Sequence, residues 1–210
     1  FETFDDFLAE LSSRKRKNIK KERRAVEEAD LDIRALSGHE VTADQWDAFF
    51  QFYMDTTDKK WGQAYLTRDF FRVLARDMAD RVLLVLAHDE GGGVVAGAVN
   101  LIGGNCLYGR NWGCRQRYDA LHFELCYYQA IEAAIEMQLV RIEAGAQGDH
   151  KIARGYLPTL TFSSHFLPNA RFRQAVADAV AATADVVLDD ACREFSTICR
   201  LSVVNKYSSQ

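Results

Sequence analysis

No stretch of this 210-residue chain approaches the run of about 18 apolar residues that a membrane-spanning helix needs, and the acidic opening FETFDDFLAEL is not a signal peptide. The expectation is therefore a soluble, cytoplasmic protein with no membrane span. The five cysteines, Cys106, Cys114, Cys126, Cys192 and Cys199, are odd in number and contain no CxxC pair, which excludes a secreted disulfide framework and points to reduced thiols. No internal repeat is present. The chain does not start with Met and opens inside a helical pattern, so part of a longer polypeptide is expected.

What is present is ordinary globular material, 48% hydrophobic and 27% charged, with enough apolar side chains for one sizeable core. The net charge of −4 is unevenly spread. Residues 14–24, RKRKNIKKERR, hold eight Lys or Arg and one Glu, leaving 18 basic against 29 acidic residues elsewhere. Such a run can bind phosphates or nucleic acid by counterion release, serve as a nuclear address, or form the solvated face of a helix. No aromatics interleave with the charges, so base stacking has little support. Arg14, Lys15 and Lys17 are the candidate anion-binding residues of this arm, for tRNA or another anionic partner.

Periodicity predicts one long helix over residues 3–29, a short strand LDIRAL, a helix from Thr42 through the aromatic stripe Trp46, Phe49, Phe50 and Tyr53, and another helix after Thr67. The runs RVLLVLAH, VVAGAVNLI and CLYGRNWG, joined by the tight connections DEGGG and GGN, predict an antiparallel meander over residues 82–112. Asp119 is expected to cap the helix DALHFELCYYQAIEAAIEMQ. LVRIEAGA returns as a strand, TLTFSSHFL is expected as another, and residues 169–190 as an alanine-rich helix. The predicted architecture is α/β, with a mixed, mostly antiparallel sheet flanked by helices and preceded by a long basic helix. The expected organisation is a helical arm over 1–30, a domain over 31–190 and a loosely attached tail over 191–210.

The stretch LHFELCYYQAIEAAIEMQLVRIEAGAQGDHKIARGYLPTLTFSSHFL resembles the bacterial peptidoglycan biosynthesis/recognition proteins, relatives of Fem-type aminoacyl transferases and of GNAT N-acyltransferases. The arm LSSRKRKNIKKERR and the segment YGRNWG resemble that family too, so the similarity touches most of residues 4–167, with HFE and GAQGDHK its specific motifs. The resemblance implies a GNAT-like acyl-CoA N-acyltransferase fold and transfer of an acyl or aminoacyl group to an amine. The implied acceptor is a peptide or cell-wall precursor, and the implied donor acyl-CoA or aminoacyl-tRNA. Family members usually carry a further acyltransferase-like half before the basic arm, which is expected to be missing here. GNAT enzymes cradle the coenzyme A pyrophosphate with a glycine-rich loop at a helix N-terminus; the turn WGCRQRYDAL has no GxG, though Arg115 and Arg117 could meet a phosphate.

Acyl transfer to an amine needs an acceptor for the amine proton and donors for the developing oxyanion. Glu124 shares a helical face with Tyr128, Ile131 and Ile135, where desolvation would raise its pKa into acid–base range; the alternative is a buried Glu satisfied by Arg110 or Tyr108. In EAGAQGDHKIARG, Gly145 and Gly148 permit close backbone approach, Gln147 can donate to an oxyanion, His150 can take a proton, and Lys151 and Arg154 supply fixed charge. The alternative is a hydrogen-bonded connection with solvated charges. Glu124 and His150 are thus the catalytic candidates. Gln147, Gly148, Lys151, Arg154, Tyr108, Arg110, His122 and Tyr128 are the oxyanion or substrate-binding candidates. His122 and Cys126 stand four apart without a second ligand pair, so no metal is expected, and a cysteine amid an amphipathic helix is more often a small core residue than a nucleophile. Two rival functions remain open: a recognition domain without turnover, and nucleic-acid binding through the arm.

Overall fold

The computed structural model describes residues 1–60, 64–145, 149–157, 159 and 166–182. They fall into two compact units, Phe1–Gly155 and the residues from Tyr156 onward. In the first unit the sheet order is β1-β2-β3-β4-β5. β1 (Asp32–Ser37), β2 (Val82–His88), β3 (Val94–Gly103) and β4 (Cys106–Cys114) are successively antiparallel, and β5 (Arg141–Glu143) pairs parallel with β4. The meander is as the sequence predicts.

β2 is buried along its whole length, and its strict two-residue alternation divides the core. Leu83, Val85 and Ala87 face one cluster with Val26, Leu107, Leu121 and Leu125. Val82, Leu84 and Leu86 face another with Trp46, Phe49, Tyr53 and Phe71. This second layer comes from α3 (Ala43–Lys60) and α4 (Arg68–Asp77). Thr42 Oγ1 accepts from Gln45 N while Gln45 Oε1 accepts from Thr42 N, a reciprocal cap that starts α3 where expected. α3 lies so close to β4 that a Cβ at Gly113 would sit 2.4 Å from the Phe52 carbonyl oxygen, which requires glycine there.

The predicted single helix over 3–29 is two: α1 (Phe4–Glu10) and α2 (Ser13–Glu27). Leu11 is extended and Ser12 Oγ accepts from Lys15 N at 3.4 Å, so a serine cap restarts the helix inside an otherwise continuous pattern. The basic segment is also packed rather than free, with Phe7, Leu8, Ile19 and Val26 buried within the first unit. Its apolar positions are sparse, but each one is used.

The central helix runs as α-helix over Leu121–Phe123, a π turn over Glu124–Tyr128 and α-helix over Gln129–Glu136. Its start is not capped by Asp119: Ala120 occupies that place in the left-handed region (φ 59°), with no side-chain cap. In the second unit, residues 170–182 are helical, and Asn169 Oδ1 accepts from Phe172 N at 3.0 Å. Residues 183–190, most of TLTFSSHFL and the tail 191–210 lie outside the described residues. No helix among the described residues is long and apolar enough to cross a membrane.

Candidate functional site

β5 pairs only with Cys106, Leu107 and Tyr108, so β4 runs on from Gly109 to Cys114 with no described strand along that edge. The pairing with β5 ends next to a bulge in β4. Val99 pairs with Asn111 and Asn100 with Gly109, leaving Arg110 as the extra residue. Arg115 N donates to Val95 O at 2.7 Å, so by ladder alternation the main-chain groups of Trp112 and Cys114 point away from β3.

The central helix borders this edge through the contact of His122 with Trp112, and its π turn decides which side chains meet there. In a regular α-helix, residues five apart diverge by well over a right angle; a π turn brings them onto one face. Accordingly the His122 and Tyr127 rings lie 5.6 Å apart, and Gln129 Nε2 donates to Glu124 Oε1 at 2.9 Å. His122 also meets Trp112 of β4 at 5.2 Å, and Phe123 stacks on Tyr127. Tyr127 Oη and His150 Nε2 are 2.9 Å apart, and the His122 and His150 rings 6.0 Å. His150 is supplied by the turn of 3₁₀-helix Asp149–Arg154 that follows β5, and its ring is exposed while Tyr127 is buried. Burial, with a smaller contribution from Cys126, pushes the Tyr127 phenol up to about 12, so it keeps its proton at neutral pH. Burial likewise pushes the Cys126 thiol up, opposed by the Lys151 charge, which removes the thiolate a nucleophile would need.

Two ionic networks tie this helix to α2. In the first, Arg23 Nη2 donates to Glu124 Oε1 (3.1 Å) and Nη1 to Glu132 Oε1 (2.7 Å). Glu124 is 3% exposed, and burial holds its carboxyl above the ordinary range, with the Gln129 hydrogen bond and Arg23 opposing. In the second, Arg154, 7% exposed, donates from Nη2 and Nε to Glu22 (2.5 and 3.1 Å), from Nε to Tyr128 Oη (3.1 Å) and from Nη1 to His150 O (2.7 Å). Tyr128 Oη also donates to Glu22 Oε2, which with burial raises its own pKa. The Arg154 guanidinium carbon lies 3.3 Å from the centroid of the Phe123 ring.

These contacts sort the candidates. His122, Tyr128, His150 and Arg154 gather around the central helix, while Glu124 turns toward α2 with Arg23 as its partner instead of Arg110 or Tyr108. Tyr108 alternates with Leu107, which packs beneath the helix, and so lies on the opposite face of the sheet; Arg110 is the exposed bulge residue. Lys151 Nζ donates to Gly145 O at 3.0 Å, across a turn that Gly145 makes at φ 74°, and desolvation lowers its pKa. Gln147 and Gly148 lie outside the described residues. Of the arm, Lys15 Nζ donates to Ile152 O at 2.8 Å, whereas Arg14 and Lys17 are exposed, as are Lys20, Lys21 and Arg24. Tyr127, Glu22 and Arg23 escape the sequence reading: helical spacing at 3.6 residues separates His122 from Tyr127, and the arm's charges read as solvated. Among the described residues, no three His, Cys, Asp or Glu side chains gather as a metal site.

Several solved structures are similar to this chain. A putative acetyl transferase from Pyrococcus furiosus matches at TM-score 0.45 and 12% identity, over 65% of this chain and 99% of that one. Glucosamine-6-phosphate N-acetyltransferase from Arabidopsis thaliana matches at TM-score 0.45 and 12% identity, over 65% and 98%. An aminoglycoside acetyltransferase from an uncultured soil metagenomic sample matches at TM-score 0.47 and 13% identity, over 68% and 97%. No curated protein matches the sequence. The family model described as peptidoglycan biosynthesis/recognition matches residues 1–196, nearly the whole chain, and the protein belongs to this FemAB-like family.

Proposed function

We propose that the protein transfers an acyl or aminoacyl group to an amine of a peptide or cell-wall precursor, beside the stretch of β4 beyond its pairing with β5. The observation that carries this reading is the Tyr127–His150 pair. A protonated phenol both accepts and donates. His150, hydrogen-bonded to Tyr127, is the group that takes the amine proton, and the Tyr127 phenol, which keeps its own proton, orients the imidazole. The amine nitrogen bonds to the acyl carbon, the bond from that carbon to the donor's sulfur or oxygen breaks, and the proton released by the amine goes to the imidazole. Membership of a family described as peptidoglycan biosynthesis/recognition supports the class of acceptor.

For the donor, the approach to the central helix suits a phosphate-bearing group. Arg115 and Arg117 are exposed just ahead of it and supply two guanidinium groups for an anion. Acyl-CoA and aminoacyl-tRNA both carry such groups. The test is to incubate the purified chain with acyl-CoA species or aminoacyl-tRNA and muropeptides, and to search by mass spectrometry for a donor-dependent mass gain on an amine. Muropeptides that raise the melting temperature, with no product from any donor, would replace transfer by recognition alone.

A further inference from the structure

We propose that Glu22 and Arg154 are positioning residues that set the Tyr127–His150 pair, so that α2 is part of the active site without touching substrate. This rests on the reading of that pair as the proton-transfer machinery. His150 is exposed on a short 3₁₀ turn, where a side chain would ordinarily sample several rotamers. Its backbone is held from below: Arg154 Nη1 donates to its carbonyl oxygen at 2.7 Å. The same guanidinium lies over Phe123, and the other face of that contact chain is Tyr127, on which Phe123 stacks. One buried cation therefore touches the supports of both partners.

The cation is fixed in turn by Glu22. That carboxylate takes two hydrogen bonds from Arg154 and one from Tyr128, three residues that no regular helix or strand would bring together. An arginine fork can hold a carboxylate, a phenol oxygen and a main-chain carbonyl at once; a lysine in its place would keep the charge and lose the simultaneous geometry. Lys15 adds a second tether from α2 to the same turn through Ile152 O. The basic segment thus has an inner face that positions the turn and an outer face, Arg14, Lys17, Lys20, Lys21 and Arg24, that is exposed.

The experiment compares the whole chain with Glu22→Gln, Arg154→Ala and Arg154→Lys, labelled with ¹⁵N-histidine. The expected wild-type signature is a single His150 tautomer, protonated at Nε2, at a pH where the ring is neutral. Arg154→Ala and Glu22→Gln should give averaged tautomers while the amide resonances of β2 and β3 stay in place. Turnover should fall on the order of tenfold to a hundredfold with donor KM changed less than about twofold, Arg154→Lys lying between. An unaltered His150 signature in folded Glu22→Gln, the near-isosteric change used if Arg154→Ala does not fold, would overturn the proposal. Because the NMR readout needs no substrate, it stands apart from the proposed reaction. An averaged tautomer with full turnover would mean that the residues do position the pair and that the pair is not the catalyst.

Discussion

On one face of the sheet, α3 and α4 press Trp46, Phe49, Tyr53 and Phe71 against Val82, Leu84 and Leu86, the rings meeting at 5.6–6.4 Å. On the other face an apolar layer of Leu83, Val85, Leu107 and Leu125 is overlaid by a second, ionic layer between the central helix and α2. The first face gains chiefly from area and dispersion, with a few polar contacts such as the hydrogen bonds that Tyr53 Oη accepts from Tyr65 N and Leu66 N. The second takes charges out of water, where the net gain is small but loss of one partner is costly, so its arrangement is specific. The π turn, Tyr127 and His150 all lie on the second face. The aromatic core and the proposed proton-transfer pair thus lie on opposite faces of one sheet.

Four substitutions test that segregation. Phe49→Ala, on the aromatic face, removes a ring that is fully buried and should cost about 3–5 kcal/mol in urea unfolding. Arg23→Ala, on the ionic face, leaves Glu124 as an unpaired buried carboxylate and should cost about 3 kcal/mol at neutral pH. Unlike the first, this loss should depend on pH. Glu124 is already held high by burial, and without Arg23 it rises further. A raised carboxyl contributes stability through its protonated form, fully present below the unfolded value and lost as pH climbs through the folded one. The Arg23→Ala deficit should therefore shrink as pH falls toward the ordinary carboxylate range, and adding Glu124→Gln should recover part of it at pH 7. A deficit independent of pH would break the comparison. Lys15→Gln removes the donor to Ile152 O and should cost about 1 kcal/mol. Lys17→Gln, on the exposed side of the same helix, should change stability by less than about 0.5 kcal/mol. Combined with Arg14→Gln, it should still weaken anionic-ligand binding and flatten its salt dependence.

Much of the first face was legible in the sequence and little of the second. The continuous apolar run of RVLLVLAH and the three-and-four spacing of Trp46, Phe49, Phe50 and Tyr53 are local patterns, and they became β2 and α3 directly. The meander followed from its short glycine connections. The ionic face depends instead on long-range pairings, Arg23 with Glu124 and Glu22 with Arg154, which have no local periodicity. The π turn escapes as well: it differs from an α-helix by one residue per turn, and HFELCYYQ carries no breaker to announce it. His150 was recognised as chemistry-bearing from its glycine-punctuated turn, whereas its partner Tyr127 could be identified only from five-residue spacing to His122. Ser12 was readable in principle, since a serine before a basic run is a cap signal, but the surrounding helical stripe hid the break.

The central claim is that the exposed imidazole of His150, held by Tyr127, takes the proton from an attacking amine. The direct measurement is single-turnover acyl transfer by wild type and by His150→Ala, each first confirmed as folded by its circular dichroism and melting temperature, with donor binding measured separately. His150→Ala removes a hydrogen-bond partner of the buried Tyr127 hydroxyl and should cost on the order of 1 kcal/mol without unfolding the protein. The account predicts that donor Kd moves less than about twofold while the transfer rate falls about a hundredfold or more. A folded His150→Ala protein that transfers the acyl group at the wild-type rate would contradict it.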